Sequence, residues 1–442
     1  MKRGNNLGAF LREGLRRQLR GRETWALTDQ AAVSATNFLT NVMLTRFMGL
    51  REFGVFALAW MCVLFVNSLQ YALIVAPMMS IGPKQDQKDR PSYFGAIVFQ
   101  ALVLVSFCFV LVYAGLKIFG GDFRNVDVRN LAFPLATAAF AYQMQDFVRR
   151  YFFATAQSRR AFLDDLLSYI PQLPILFVLH ASGHLNSVTA LWAMSGTSLF
   201  GLAVGWLWVE PLQFHWARIQ SVAAHHWRIS RWLGISAVLQ WTSGNLFVLA
   251  APMFFGAAAA GVLKASQNLM GVTHIWFQGL DNVVPVETAR RLHEKGVRSM
   301  LAYTRSIVLK WGGLTLLFAA MMGVAPGLWL RLVYGPQMVQ YGYVLRLYAL
   351  LYVLIFLGGP LRAALQAIEF TVPIFWSYFA MTIFSVALAV PMAKWLKLNG
   401  VMLGLLGAQV LFQGIVGAAL LWKSRSLIRM ADFPSRSTAI AK

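Results

Sequence analysis

Residues 44–59 read LTRFMGLREFGVFALA, and they separate two long apolar runs with two arginines, one glutamate and two glycines. A helix needs roughly 20 predominantly apolar residues to cross about 30 Å of hydrocarbon. The runs on both sides of this stretch are of that length. The stretch therefore predicts a tight turn between two membrane-spanning helices.

Apolar runs of spanning length recur along the whole chain. Of its 442 residues 58% are hydrophobic and 13% are charged, whereas soluble domains average about 25% charged residues. We predict an all-α polytopic membrane protein with about twelve transmembrane helices. The predicted spans are residues 25–48, 53–79, 93–117, 131–153, 162–180, 188–209, 232–254, 258–284, 306–330, 342–361, 371–393 and 399–422.

Basic residues are distributed unevenly among the predicted loops. With the N-terminus placed inside, 28 of the 39 lysines and arginines lie in inside segments and eight lie in outside loops. Because inside loops of membrane proteins carry an excess of Lys and Arg, this bias predicts that both termini are cytoplasmic. The net charge of +22 is then a consequence of topology, and we predict no nucleic-acid partner.

The two halves of the chain share a pattern of glycines. F-x-G-x-x-x-x-G-V occurs at residues 47–55 and again, 207 positions later, at 254–262. Two halves of six spans each start on the same side, which predicts a parallel repeat about an axis along the membrane normal. The predicted parts are a basic amphipathic cytoplasmic N-terminus (1–24), an N-terminal lobe (25–209), a cytoplasmic linker (210–231), a C-terminal lobe (232–423) and a cytoplasmic tail (424–442).

Residues 28–59, TDQAAVSATNFLTNVMLTRFMGLREFGVFALA, resemble the opening of bacterial polysaccharide transporters of the Wzx-type O-antigen flippase branch. That branch belongs to the multidrug/oligosaccharidyl-lipid/polysaccharide (MOP) exporter superfamily. Its junction AR-x-LG-x-x-EFG is TRFMGLREFG here, with Thr45 in place of Ala and Met48 in place of Leu. The resemblance implies a pseudo-twofold arrangement, like that of MATE transporters, of two six-helix lobes around a central cavity.

The same resemblance implies an activity. Relatives flip polyprenyl-diphosphate-linked oligosaccharides across the bacterial cytoplasmic (inner) membrane by alternating access, for O-antigen, exopolysaccharide or capsule biosynthesis. The implied partners are this lipid-linked glycan, membrane lipids and the polysaccharide polymerase and export machinery. No cofactor is implied beyond coupling to H⁺ or Na⁺.

Cationic side chains within the spans are the candidates for binding a diphosphate, since ionisable residues at membrane depth usually face protein or water. Lys264 is the best candidate, because it lies about 12 Å into the eighth span, which the resemblance places along the cavity. Its alternative role is snorkelling toward the outer interface. Arg346 in the tenth span and Arg46 at the outer end of the first span are further candidates, each with interface anchoring as its alternative.

Acidic and amide side chains add a second set of candidates. Asp29, at the start of the first span, either couples H⁺ or Na⁺ binding to the conformational cycle or stabilises a helix N-terminus. Gate or interface ion pairs are predicted for Asp146, Arg149, Asp281 and Glu287. A hydrated, sugar-compatible cavity is predicted from amides, whose alternative role is interhelical hydrogen bonding: Asn37, Asn41, Gln240, Asn245, Gln267 and Asn268.

Three functions other than flipping would each need a recognisable feature in the sequence. A glycosyltransferase or polymerase would need catalytic residues on a sizeable outer loop, and an ATP-driven pump would need a phosphate-binding glycine loop; the sequence has neither, so we predict that the protein is not an enzyme. A drug or cation antiporter of the same superfamily is the main alternative, although basic residues within the spans favour an anionic substrate.

A metal site is not predicted. His215, His225 and His226 lack a carboxylate or cysteine that would complete it.

Overall fold

The computed structural model describes residues 5–121 and 127–432, and helices joined by short turns make up this part of the chain. Its α-helices are α1 (Asn5–Gln70), α2 (Ala76–Ile81), α3 (Arg90–Phe119), α4 (Ala132–Ala154), α5 (Ser158–Tyr169), α6 (Gln172–Ala181), α7 (Ser187–Trp206), α8 (Trp216–Phe255), α9 (Ala257–Met270), α10 (His274–Val324), α11 (Pro326–Tyr334), α12 (Gly342–Ala367) and α13 (Val372–Asp432). The predicted fold class is confirmed.

In the described part of the chain, eight helical stretches are long and apolar enough to cross a membrane. Three of them have 57, 68 and 58 residues, about twice the length of one span. One non-helical residue interrupts each of the three: Gly49, Gly296 and Lys397. The three long stretches thus hold two predicted spans each, and α4 supplies the twelfth. This helix carries buried polar residues, among them Gln143 and Asp146.

The glycines of the sequence repeat adopt the same backbone conformation. Gly49 has φ 77° and Gly256 has φ 76°, in the left-handed region that glycine reaches at little cost. Gly49 separates the first two spans within α1, and Gly256 separates α8 from α9. The predicted tight turn at residues 44–59 is therefore present and has a counterpart in the second half.

Two further pairs of turns follow the same repeat. After the fourth span of each half the chain has a positive φ, at Ala156 (62°) and at Glu369 (55°). After the fifth span of each half it does so again, at Gly183 (73°) and at Lys397 (58°). The two halves are therefore repeats in their backbone as well as in two glycines.

A second glycine pair allows two helices to cross closely. A Cβ on Gly54 would lie 1.8 Å from the carbonyl oxygen of Ala257, and a Cβ on Gly261 would lie 2.4 Å from that of Leu50. Leu50 and Ala257 are themselves 207 positions apart, so the crossing is symmetric. Only glycine at both positions lets the start of the second span meet the start of α9.

The chain forms two compact units. The first is Met1–Val238 with Gly256–Gly261, and the second is Leu239–Phe255 with Val262–Lys442. In the first, α4 packs against α3, α5 and α7, and α1 packs against α5; in the second, α12 packs against α10 and α13. Aromatic residues such as Phe147 and Phe152 fill the first core, and Phe356 lies in the second.

The boundaries of α8 and α1 bear on two predicted segments, the linker and the N-terminus. α8 begins at Trp216, so residues 216–231 of the predicted linker are helical and run directly into the seventh span. α1 begins at Asn5, but the side chains of residues 1–24 lie outside the described part of the chain. The prediction of an amphipathic N-terminal face concerns those side chains.

Candidate functional site

Arg149 on α4 is at the centre of a buried ionic cluster in the first compact unit. Its Nη2 lies 2.7 Å from Asp29 Oδ2, its Nη1 lies 3.5 Å from Asp146 Oδ1, and its Nε contacts Asp165 Oδ2. The side chains of these three aspartates are 1%, 8% and 2% exposed. The first, fourth and fifth spans are thus joined through one guanidinium.

The cluster extends to a fourth carboxylate. Gln145 donates from Nε2 to Asp164 Oδ2 and to Asp165 Oδ1, at 2.9 Å in each case. Asp164 is fully buried. Arg150 adds a second guanidinium, whose Nε lies 3.4 Å from Asp146 Oδ1.

Helical spacing on α4 explains why these groups meet. Asp146 lies three residues before Arg149 and four before Arg150, and residues at these spacings share one face of a helix. Asn67, on the second span, donates to Asp146 Oδ2 at 3.2 Å and to Gln143 Oε1 at 3.0 Å. The second span is thereby attached to the same face of α4.

Carboxylates outnumber guanidiniums in this cluster. Asp29, Asp146, Asp164 and Asp165 face Arg149 and Arg150, so full ionisation would leave an excess negative charge in a buried site. Burying an uncompensated charge is costly. Asp29 Oδ1 is buried without a hydrogen-bond partner in the part of the chain that the structure describes. The cluster can therefore take up a proton.

Lys264 lies in a different environment, in the second compact unit. Its Nζ donates to Gln267 Oε1 at 3.2 Å, one turn further along α9. In the same unit, the Tyr352 hydroxyl of α12 lies 3.4 Å from His274 Nε2 at the start of α10. The ammonium is thus partly buried and hydrogen-bonded to an amide instead of a carboxylate. An anionic ligand would supply the counter-charge that an amide does not.

The predicted amides play several roles. Asn41 and Asn245 donate to carbonyls of their own helices, those of Asn37 and Trp241, at 2.8 Å each. Gln240 donates to the Tyr378 hydroxyl at 3.3 Å, so it joins α8 to α13. Asn268 donates to the Tyr334 hydroxyl at 3.1 Å, which joins α9 to α11. Of the six amides, Gln267 is the one placed beside Lys264.

The other predicted site residues make separate contacts or are exposed. Arg346 is exposed, donates from Nε to the Gly323 carbonyl at 3.0 Å, and lines a cavity of about 450 Å³. Glu287 pairs with Arg290 and Arg291, at 2.7 Å each. Arg46 and Asp281 are exposed on α1 and α10.

Sequence reasoning missed two members of the Arg149 cluster, Asp164 and Asp165. They follow Arg159 and Arg160, whose charges suggest a membrane interface. Two adjacent acidic residues inside an apolar span would have been a sufficient signal.

The glutamate of the opening stretch stabilises a neighbouring helix. Glu52 Oε2 accepts hydrogen bonds from the backbone nitrogen of Ser187 at 3.2 Å and from its hydroxyl at 2.9 Å. Ser187 begins α7, whose N-terminus Asn186 and Thr189 also cap. A carboxylate at a helix N-terminus is favourable, so the E of the motif has a structural role.

Among the residues that the structure describes, no three His, Cys, Asp or Glu side chains are arranged to hold a metal ion. The aspartates of the Arg149 cluster are instead arranged around a guanidinium. Cys62 and Cys108 are free thiols within apolar helices.

No family model and no curated protein matches the chain. Its fold, however, is that of solved membrane transporters. The inward-facing conformation of a multidrug resistance MATE family transporter of the MOP superfamily is similar with a TM-score of 0.72 and 12% identity, over 91% of this chain and 96% of that one.

Two other structures extend this likeness. The lipid II flippase MurJ, in an inward closed conformation, is similar with a TM-score of 0.69 and 9% identity, over 89% of this chain and 86% of that one. A MOP superfamily transporter from Pyrococcus furiosus is similar with a TM-score of 0.59 and 14% identity, over 93% and 95%. At these identities the likeness establishes a shared fold, that of a multi-pass membrane protein.

Proposed function

We propose that the protein flips a polyprenyl-diphosphate-linked oligosaccharide across the bacterial cytoplasmic membrane by alternating access. A fold shared with MATE transporters and with a lipid II flippase supports membrane transport over catalysis. The observation that carries the substrate class is the placement of Lys264. Its ammonium is partly buried and hydrogen-bonded to an amide, so it can attract a diphosphate at membrane depth.

The buried cluster around Arg149 supports a coupling role for Asp29 in this proposal. The Asp29 side chain is 1% exposed, and the cluster has more carboxylates than guanidiniums. Binding of H⁺ would relieve the excess negative charge and loosen the contacts of Arg149 to its aspartates. Because these contacts join the first, fourth and fifth spans, protonation would change how those helices pack.

The experiment that tests the function is deletion of the gene followed by analysis of lipid-linked glycans in the two membrane leaflets. We expect the glycan to accumulate on the inner leaflet and the exported polysaccharide to disappear. The glycan would otherwise pass to polymerase and export machinery outside. Unchanged glycans in the deletion strain would contradict the proposal.

Complementation of the deletion strain separates the role of Lys264 from a general need for positive charge. Lys264→Ala should not restore export, whereas Lys310→Ala should, because Lys310 is an exposed residue of α10. Lys264→Arg should restore export in part. Equal export by all three variants at equal protein level would remove Lys264 from the site.

Export of cationic drugs is a second candidate, because the likeness to a multidrug MATE transporter and the carboxylate-rich cluster both favour it. The same deletion strain distinguishes the two functions. Drug hypersensitivity with unchanged glycans would favour the exporter. Inner-leaflet glycan accumulation with unchanged drug sensitivity would favour the flippase.

A further inference from the structure

A cavity of about 370 Å³ lies in the first compact unit, and its lining includes no member of the Arg149 cluster. It lies between the start of the second span, the end of α3 and the start of α4, and its lining includes Val55, Ala59, Cys62, Leu111, Gly115 and Leu131. All twelve lining residues are apolar, glycine or cysteine. Cavities that bind small polar molecules have a few polar groups in their walls. The wall of this cavity offers none, so it suits a hydrocarbon chain.

The rim of the cavity continues onto an apolar stripe of α3. Val103, Phe107, Val110 and Leu111 follow one another at helical spacing, and each is more than half exposed. Leu111 belongs both to this stripe and to the cavity wall. An exposed apolar stripe on a membrane-spanning helix faces lipid, so an occupant would enter the cavity from the bilayer.

One end of the cavity is next to positive charge. Val128 lines the cavity and Arg129 follows it, donating from Nε to the Gly120 carbonyl at 2.7 Å. Arg129 and Lys117 are exposed. Asp127, an acidic residue of the same turn, accepts through its carboxylate from the backbone nitrogen of Arg129. The charge bias of the sequence predicts that this end faces outside.

We propose that the cavity binds the isoprenoid chain of a polyprenyl phosphate lipid, with the phosphate beside Arg129 and Lys117. The site has one cavity for a hydrocarbon chain and one cationic end for a phosphate. A polyprenyl phosphate has one chain per phosphate and matches this site, whereas a phospholipid has two chains. The choice of a polyprenyl chain rests on the proposed function, in which the substrate carries one. The site would hold the lipid after translocation, at the end of the cavity that the topology predicts outside.

Binding is tested with the full chain purified in detergent, by native mass spectrometry with C55 polyprenyl phosphate. Gly115→Leu would fill the cavity, because a side chain at Gly115 meets nothing within 4 Å. Gly196→Leu is the matched control, since Gly196 of α7 is exposed and equally unobstructed. Loss of contact with about two CH₂ groups corresponds to a roughly tenfold weaker affinity. We expect at least that loss for Gly115→Leu and none for Gly196→Leu.

The cationic mouth is tested by Arg129→Gln, with Arg331→Gln as its control. Both arginines are exposed and predicted outside, and Arg331 is on α11, remote from the cavity in sequence. Arg129→Gln should weaken binding of polyprenyl phosphate, whereas Arg331→Gln should not. Equal binding by the two variants would overturn the placement of the phosphate.

A measurement on the unmodified chain does not depend on any variant folding. A polyprenyl phosphate with a photoreactive group in its first isoprene units should crosslink to peptides containing residues 55–62, 111–116 and 128–135. Crosslinks elsewhere alone, or equal competition by phosphatidylglycerol at the same mole fraction, would overturn the proposal. If the chain binds the lipid here but deletion of its gene leaves glycans unchanged, the flippase proposal fails and this one stands.

Discussion

Arg149 makes three ionic contacts from one side chain, and its α4 neighbour Arg150 makes one. The two residues therefore form a natural comparison. Side-chain exposure is 11% for Arg149 and 30% for Arg150. Removing one partner of a buried ion pair leaves the other charge buried without its counter-charge, which lowers the stability strongly. Removing a partner that water still reaches lowers it less.

We expect Arg149→Ala to lower the free energy of unfolding by about 3–5 kcal/mol and Arg150→Ala by about 1 kcal/mol or less. The deficit of Arg149→Ala should shrink at acid pH, because protonated carboxyls no longer need the guanidinium. Thermal unfolding of the purified variants at neutral and acid pH measures both effects. Equal losses for the two variants would show that the cluster does not depend on Arg149.

Asp29→Asn should uncouple transport from protons while keeping the size of the side chain. In proteoliposomes we expect the wild-type rate of lipid-linked glycan flipping to change with an imposed pH gradient, and the Asp29→Asn rate to be indifferent to it. Asp86→Asn, an exposed residue between α2 and α3, is the control and should behave as wild type. A pH-dependent rate in Asp29→Asn would assign coupling to other groups.

At the scale of elements, the crossing of the second span with α9 depends on two glycines. Gly54→Ala would place a methyl group 1.8 Å from the Ala257 carbonyl oxygen, so the helices must separate. Overpacking of this kind costs about 1–3 kcal/mol. We expect Gly54→Ala and Gly261→Ala to lower the unfolding temperature.

Gly244→Ala is the control for the two crossing glycines, because we expect it to change the unfolding temperature in the opposite direction. Gly244 is in the interior of α8, and a Cβ there meets nothing within 4 Å. Alanine is more favourable than glycine inside a helix by up to about 1 kcal/mol. Gly244→Ala should therefore raise the unfolding temperature, and a rise in Gly54→Ala as well would contradict the close crossing.

The elements that could be predicted from the sequence are those that a local signal specifies. Twelve apolar runs and the turn at Gly49 were predictable because length and glycine spacing encode them. The turns at Ala156 and Glu369 were not, because no glycine occupies either position and the backbone adopts its positive φ through tertiary context. Likewise Asp29 was predictable as an isolated acid, but its contact with Arg149 joins segments 120 positions apart.

At the scale of the whole molecule, the orientation in the membrane is a prediction from charge alone. In a chain with Cys62 and Cys108 replaced by alanine, Ser182→Cys should react with an impermeant maleimide added to intact cells, and Ser221→Cys should react only after permeabilisation. Both serines are exposed, Ser182 between α6 and α7 and Ser221 on α8. The opposite pattern would invert the predicted topology.

The turns at equivalent positions of the two halves indicate that the chain arose by duplication of a six-helix unit. Tandem duplication of an ancestral six-helix unit would return the second copy to the membrane with the same side facing the cytoplasm, because six is an even number. One distribution of loop charges would then have served both copies from the start. Later divergence is visible where the ancestral conformation was kept and the residue was not, as at Gly183 and Lys397, both with left-handed φ. The backbone of such a chain preserves its ancestry longer than its side chains do.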